Sequence, residues 1–224
     1  MSKEKFIHIS IDDCQSILGE LIENDYDTLW QARKLWLLKR LHSLFGAKFT
    51  LYVFNQIGTY TLNDVPDKYR KEWEGASDWL KFGFHAVSEA QQPTNILPDF
   101  KDTYAVFKSN IERFAGTKSL AKILRLHYWF YPEEYVKVLR REGVKTILVK
   151  EGQIVNVAGL ETWVTNVRIE KEKMGTILTK IVHHAKQYPL VIFTHEWALN
   201  RITKLKLSLT IFVVKMMGYK FICD

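Results

Sequence analysis

Acidic, histidine and arginine residues recur where predicted strands end. Asp12 and Asp13 follow the strand-like FIHISI, and His85, Arg125 and His195 lie within or at the end of three later strand-like runs. A random scatter of charged residues would not favour these places. In parallel β/α folds, catalytic residues gather beyond the carboxyl ends of the strands. The sequence therefore predicts one site that is assembled from four separate segments.

The adjacent aspartates indicate metal-assisted hydrolysis. Successive strand residues point to opposite sides, so Asp12 and Asp13 could take different tasks, one as metal ligand and one as proton acceptor. His85 and Glu89 stand four residues apart, and a helical turn there would direct both at one ion. Asp, His and Glu together suit a divalent ion with open positions for water, which becomes more acidic when bound. The free aspartate, close to an arginine, could then act as base.

Each of these residues also has a structural interpretation. Asp12 and Asp13 could cap the following turn, although capping explains only one of them. His85 could be a neutral structural histidine, and Glu89 a helix-surface acid. Arg125 could simply pair with a carboxylate. The residue types alone leave these alternatives open.

Strand-like and helix-like segments alternate along the chain. The predicted strands cover residues 6–11, 48–54, 81–86, 121–129, 144–150, 189–195 and 219–224. The predicted helices cover residues 28–46, 65–80, 102–116, 132–143, 173–187 and 202–218. Such alternation implies βαβ units and a parallel sheet.

The regions between these elements hold no linker rich in serine and glycine. Residues 91–99 are predicted to form a loop, and residues 151–170 have β character without a helix signal. We therefore predict an α/β fold in a single domain over residues 1–224. A β/α barrel is preferred over an open, doubly wound sheet.

Composition and charge limit the class of protein. The chain of 224 residues is 47% hydrophobic and 25% charged, which excludes disorder. Its net charge of +7 favours anionic partners or surfaces. The basic stretch NRITKLKLS favours a solvated helix face over a nucleic-acid patch, so no specific nucleic-acid binding is expected. Two distant cysteines without a CxxC pair indicate a reducing compartment.

The sequence gives no signal for export or for a membrane span. The N-terminal residues lead directly into a predicted strand, and the most apolar run, residues 207–218, is short and interrupted by Lys215. We therefore expect a cytoplasmic location and a buried terminal helix. The oligomeric state is not readable from the sequence.

Four stretches resemble, in order, motifs of the polysaccharide deacetylase superfamily, which has the NodB-homology fold and includes carbohydrate esterase family four. They are ISIDD, FGFHAVSE, LRLHYW and VIFTHEW. The resemblance covers most of the chain and depends on the order and spacing of these motifs. It implies a distorted (β/α)7 barrel and metal-dependent removal of an acetyl group from an N-acetylated carbohydrate. The implied ion is zinc, with cobalt, nickel or manganese as alternatives.

The resemblance also implies roles for individual residues. Asp12 would be the general base and Arg125 the arginine that orients it. His195 would be the general acid that protonates the leaving amine. Tyr128 matches a tyrosine whose backbone N–H helps to stabilise the oxyanion.

The implied metal ligands depart from the family pattern. Asp13 would be one ligand and His85 the first histidine of a His-x-x-x-His pair. Glu89 stands where the second histidine is usual, and a carboxylate there would make a harder ion than zinc possible. His127 replaces the usual proline of the arginine motif.

Other residues complete the implied site. The acidic fourth motif is not plain, and Asn166 and Glu170 are the two residues that could hold the general acid. Trp129 and Trp197, together with His127, are assigned to substrate binding, where the tryptophans would form an apolar wall for a sugar ring. Core packing is the commoner use of such aromatic residues.

Three functions therefore follow from the sequence. The first is a metal-dependent carbohydrate deacetylase. The second is a deacetylase-like domain without turnover, which binds a glycan or an anionic partner. The third is a basic protein that binds nucleic acid through its surface.

Overall fold

Parallel strands alternate with helices in the computed structural model, which describes residues 4–92, 96–155, 159–184 and 189–224. The strands are β1 (Phe6–Cys14), β2 (Phe49–Phe54), β3 (Gln56–Ile57), β4 (Tyr60–Thr61), β5 (Leu80–Ala86), β6 (Ile123–Leu124), β7 (Thr146–Val149), β8 (Glu161–Val164), β9 (Val167–Arg168), β10 (Leu190–His195) and β11 (Lys220–Ile222). The helices are α1 (Ser16–Glu23), α2 (Arg33–Phe45), α3 (Arg70–Ala76), α4 (Phe100–Ala115), α5 (Glu133–Arg141), α6 (Met174–His184) and α7 (Arg201–Met216).

The parallel strands form a ring of seven positions. One sheet has the order β5-β2-β1-β10-β9, with β11 also paired to β1, and a second has the order β6-β7-β8. A bridge between Phe82 and Leu120 joins the sheets on one side. On the other side, two consecutive residues between β8 and β9 join the sheets. Thr165 N–H donates to Val149 O of β7, and Asn166 N–H donates to Val191 O of β10. The predicted distorted (β/α)7 barrel is confirmed, with β8 and β9 sharing one position.

The site-bearing strand β1 lies at the centre of the larger sheet. It pairs with β10 from Ile7 to Asp12, and its first residues also pair with β11. Eight of its nine residues are buried, as are all six residues of β2. This burial on both faces explains why β2 reads as a nearly continuous apolar run in the sequence. In β1 the second buried face carries His8, Ser10 and Asp12 instead.

Several predicted elements differ from the structure. The predicted strand 121–129 keeps only β6, because Tyr128 and Trp129 have positive φ angles that a ladder cannot contain. The predicted helix 65–80 is reduced to a 3₁₀ turn followed by α3. Helix α1 and the β3–β4 hairpin were not predicted. Residues 185–187 of one predicted helix and 93–95 of the predicted loop lie outside the described residues.

The predicted buried terminal helix is buried on one side only. Helix α7 places Leu207, Ile211 and Val214 in the core but leaves Leu209 and Phe212 exposed. The apolar residues of this helix therefore lie on two sides, one that packs in the core and one that faces solvent. In the described residues, no helix is long and apolar enough to cross a membrane.

Gly83 makes room for a ring inside the barrel. A Cβ atom there would lie 2.5 Å from Tyr52 ring carbons and 2.8 Å from Leu124. The Tyr52 hydroxyl donates to Ile123 O at 2.9 Å, and its ring stacks on His85 with centroids 5.9 Å apart. Gly83 therefore supports the position of a predicted site residue.

We expect Gly83→Ala to lower the free energy of unfolding by roughly 1–3 kcal/mol, because Tyr52 cannot move without losing these contacts. Urea denaturation measures the effect. Gly75→Ala is the matched control, because that exposed position in α3 has no atom within 4 Å of the added Cβ and should be neutral or stabilising. Equal stabilities of the two variants would contradict the packing role of Gly83.

Candidate active site

A cavity of about 330 Å³ opens at the carboxyl ends of the barrel strands. This volume lies in the range of small-molecule sites. All ten residues that the sequence assigned to catalysis, metal binding or substrate binding line it, together with two others. The lining residues are Asp12, Asp13, His85, Glu89, Arg125, Leu126, His127, Tyr128, Trp129, Arg168, His195 and Trp197.

Asp12 and Asp13 both face the cavity, although neighbouring side chains of a regular strand point to opposite sides. The pairing of β1 with β2 shifts register between Ile11 and Cys14, and Asp13 has a φ of 54°. A bulge of this kind redirects a side chain that would otherwise point away. A non-glycine residue in the left-handed region is strained, and such strain clusters at functional sites.

Asp12 is held by a buried arginine. Arg125 Nε lies 2.8 Å from Asp12 Oδ2, and Arg125 Nη2 donates to Asp12 Oδ1 at 2.8 Å. The Ser10 hydroxyl, which accepts from the same nitrogen, donates to Asp12 Oδ1 at 3.0 Å. The arginine side chain is 1% exposed and the aspartate 3%. This two-pronged, desolvated pair fixes the carboxylate in one orientation. Sequence reasoning missed Ser10, which as a small polar residue in a strand gave no signal.

Three possible metal ligands converge beside this pair. The ligand atoms of Asp13, His85 and His127 lie within 4.8 Å of one another. His85 Nε2 is 3.2 Å from Asp13 Oδ1 and 3.2 Å from His127 Nδ1, and His127 Nδ1 is 3.5 Å from the same carboxylate oxygen. These three residues are called the acceptor triad below.

The hydrogen bonding of the acceptor triad fits a cation. His85 Nδ1 donates to Arg125 O at 2.6 Å, so Nε2 is the ring nitrogen that faces Asp13 and can offer a lone pair to an ion. Asp13 Oδ1 is buried without a hydrogen-bond donor in the described part of the chain. Two acceptors at 3.2 Å need a proton or a metal ion between them. Imidazole and carboxylate ligands together suit zinc and related divalent ions.

Asp13 is strongly favoured in its ionised form. Burial by itself would raise its pKa, but the neighbouring imidazoles of His127, His85 and His195 hold that pKa well below its usual range. A permanently ionised carboxylate is the form that ligates a metal.

Glu89 lies on the rim of the cavity, outside the acceptor triad. It is exposed, and its Oε2 accepts from Gln15 Nε2 at 2.9 Å. The helical turn that the i, i+4 spacing assumed is absent, since β5 ends at Ala86 and an irregular turn follows. His127, which the sequence assigned to substrate binding, takes the place beside Asp13 and His85.

His195 is held from behind by a carboxylate. It ends β10 in register with Asp12, and its Nδ1 lies 2.7 Å from Glu170 Oε1. Its Nε2 is 3.7 Å from Asp13 Oδ2, on the cavity side. Of the two residues proposed to hold it, Glu170 does so, while Asn166 Oδ1 accepts from Val191 N–H.

Arg168 was missed by sequence reasoning. Its Nε pairs with Glu170, and its Nη2 lies 3.2 Å from His195 Nδ1. Burial would raise the pKa of Glu170, but the hydrogen bonds from His195 and Arg168 lower it to about 2. The only sequence signal for Arg168 was its position two residues before Glu170, which the sequence analysis named as a possible partner of His195.

Aromatic residues form the mouth of the cavity. Trp197 is 63% exposed, stacks on His195 at 5.2 Å and donates its indole N–H to Asp13 Oδ2 at 3.1 Å. Tyr128 and Trp129 follow each other with φ angles of 57° and 54°, which turns the chain sharply beside the acceptor triad. Exposed rings of this kind are suited to stacking on an apolar ligand face.

A buried glutamate braces the two ends of the site. Glu196 Oε2 accepts from Gln15 N–H and Ser16 N–H at 2.6 and 2.8 Å, and Lys34 Nζ donates to Oε1 at 2.8 Å. The carboxylate thus binds the start of α1, directly after the aspartates, to the end of β10. This contact was not predicted.

The fold is shared with carbohydrate deacetylases and esterases of known structure. The Bc1960 peptidoglycan N-acetylglucosamine deacetylase is 13% identical with a TM-score of 0.60, and the match covers 99% of this chain and 87% of that one. A family 4 acetyl xylan esterase from Clostridium thermocellum, solved with cobalt, is 15% identical with a TM-score of 0.59, covering 97% and 87%.

A third match is the catalytic domain of a peptidoglycan N-acetylglucosamine deacetylase from Eubacterium rectale. It is 15% identical with a TM-score of 0.56, and the match covers 100% of this chain and 90% of that one. No protein-family model and no curated protein matches the sequence. The structural likeness confirms the fold that the sequence resemblance implied.

We expect His127→Ala to weaken binding of Zn²⁺ or Co²⁺ more than about 100-fold, because it removes one of the three candidate ligands. Calorimetric titration of metal-free protein measures the affinity. Glu89→Gln is the matched control and should change the affinity less than about threefold, since Glu89 lies outside the acceptor triad. The opposite ranking of the two variants would assign the third ligand to Glu89.

We expect Glu170→Gln to destabilise the protein at neutral pH, by roughly 1–3 kcal/mol. Because the folded-state pKa is depressed to about 2, the stabilisation is fully present above the ordinary value of 4.5 and is lost as the pH falls toward about 2. Urea denaturation across this window should show the two proteins converging. The exposed Glu161→Gln serves as control, and an identical pH dependence there would rule out the specific pairing.

Proposed function

We propose that the protein is a metal-dependent hydrolase that removes the acetyl group from an N-acetylated carbohydrate. One observation supports this most strongly. The acceptor triad lies between an arginine-held aspartate, Asp12, and a carboxylate-held histidine, His195. A possible base, ion site and acid therefore line one cavity. The relatives in fold are described as peptidoglycan deacetylases and an acetyl xylan esterase.

The acceptor triad would hold one divalent ion, with zinc as the first choice and cobalt, nickel or manganese as alternatives. A bound ion supplies Lewis acidity that polarises the acetyl carbonyl and makes water easier to deprotonate. The His85–Arg125 carbonyl bond fixes the imidazole tautomer for ligation. The Trp197 indole holds the second oxygen of Asp13.

Asp12 acts as the general base in this proposal. Its carboxylate is oriented by Arg125 and Ser10 and has a free direction toward the cavity. It takes the proton of the attacking water, and Arg125 spreads the charge of the pair. Its strand neighbour Asp13 is occupied by the two histidines and does not compete for this proton.

His195 acts as the general acid on the other side. Glu170 bonded to Nδ1 stabilises the imidazolium and directs Nε2 toward the cavity, where a leaving amine would receive the proton. Tyr128 N–H, in the sharp turn beside the triad, is proposed to donate to the developing oxyanion. Trp129 and Trp197 would pack on the sugar ring.

We expect purified protein loaded with Zn²⁺ or Co²⁺ to release acetate from small chito-oligosaccharides. Asp12→Asn should lower kcat by about 10²–10⁴-fold, because it removes the base but keeps the shape of the pair. The control is its metal affinity, which should stay close to that of the unaltered protein. Full activity of Asp12→Asn would refute the assignment of the base.

The alternative function is a deacetylase-like domain that binds a glycan without turnover. His127, rather than a histidine four residues after His85, completes the triad, and this departure favours the alternative. Calorimetric binding of chito-oligosaccharides by metal-loaded protein that releases no acetate would establish it. That result would leave the site in place and overturn the proposed reaction.

A further inference from the structure

Helix α7 carries an apolar stripe on its solvent side. Five large apolar residues with exposed fractions from 41% to 71% are spaced by three and four residues, so they lie along one line of the helix. They are Ile202, Leu205, Leu209, Phe212 and Met216. They lie opposite the buried Leu207, Ile211 and Val214. This set is called the terminal stripe.

Basic residues surround the terminal stripe. Helix α2 packs beside α7, with the rings of Phe45 and Phe212 6.1 Å apart. Each of the two helices carries four basic residues and no acidic residue. The eight are Arg33, Lys34, Lys39, Arg40, Arg201, Lys204, Lys206 and Lys215.

This concentration accounts for the charge of the whole chain. The eight basic residues exceed the net charge of +7, so the remainder of the chain is close to neutral. Two of them contact oxygen atoms of the chain, Lys34 at Glu196 and Lys206 at Glu172 O. Two others lie over indole rings, Lys39 over Trp30 and Arg40 over Trp36, and keep their charge. The two helices that meet at Phe45 and Phe212 therefore carry the excess positive charge of the chain, and four of these cations lie on the helix of the stripe itself.

We propose that the terminal stripe and its basic flanks bind the surface of an anionic lipid bilayer. An exposed apolar helix face flanked by lysine and arginine is the pattern of helices that lie in the membrane interface. The apolar side chains enter the acyl boundary, and the cations pair with lipid phosphates.

A second copy of the chain fits this surface less well. A twofold contact would place the same surface on both subunits, so the basic residues of α7 would face those of its partner. No acidic residue on α2 or α7 compensates them. Like charges across an interface cost binding energy, whereas anionic lipid complements them.

The location of the stripe connects it to the cavity. Helix α7 starts six residues after His195, and Asn200 caps it by accepting from Ile202 N–H and Thr203 N–H. Trp197, at the cavity mouth, lies between them in sequence. A bilayer against the stripe would therefore hold the cavity mouth close to the headgroup layer. The docking itself does not depend on the proposed reaction.

Co-sedimentation with lipid vesicles tests the proposal. The full chain should sediment with vesicles of equal parts phosphatidylglycerol and phosphatidylcholine, and much less with pure phosphatidylcholine or at high salt. The double variant Leu205→Gln/Phe212→Gln should bind the anionic vesicles about tenfold or more weakly. The variant should stay folded with a slightly lower thermal midpoint, since Leu205 is exposed and Phe212 loses one ring contact with Phe45.

Matched controls separate the stripe from exposed apolar surface in general. Val106→Gln on α4 and Val182→Gln on α6 replace equally exposed residues and should bind like the unaltered protein. Absence of binding to anionic vesicles, or an unaffected double variant, would overturn the proposal. A dimer in the ultracentrifuge that the double variant dissociates would also overturn it, because a second copy would then cover the stripe.

Discussion

The buried pair of Arg125 and Asp12 is the contact on which the site depends. Both groups are withdrawn from water, which is expensive unless each charge is matched by good geometry. The guanidinium meets the carboxylate through two nitrogens, and the ring of Phe193 lies 3.8 Å from it. The same residue acts a second time, because its backbone carbonyl fixes the tautomer of His85. One position therefore orients both the proposed base, Asp12, and His85 of the acceptor triad.

The three carboxylates at the cavity are kept apart by their partners. Asp12 has an arginine, Asp13 has two histidines and Glu170 has His195 with Arg168. Like charges crowded in one cavity would otherwise favour protonation of one carboxylate. Separate partners let each carboxylate take a different proposed task, with Asp12 as base, Asp13 as metal ligand and Glu170 as the support of His195.

The sequence predicted the membership of the site better than its internal arrangement. Strand ends are readable from apolar runs, and a parallel barrel brings them to one rim, so the assigned residues line one cavity. The sequence did not show that His127, and not Glu89, lies beside Asp13 and His85. That placement depends on an irregular turn after β5 and on the positive φ angles of Tyr128 and Trp129. The bulge that turns Asp13 inward likewise depends on pairing with β2. Helix α7 was misjudged because composition does not say which face is covered.

The pairing of β1 bears on how the protein is made. This first strand carries both aspartates, yet its neighbours β10 and β11 come from the last segment of the chain. Contacts so distant in sequence are slow to form, since a long loop must close before they stabilise anything. During synthesis on the ribosome, β2 can cover one edge of this strand early, but the other edge must stay unpaired until the residues of β10 have emerged. Newly made chains would depend on chaperones during this interval.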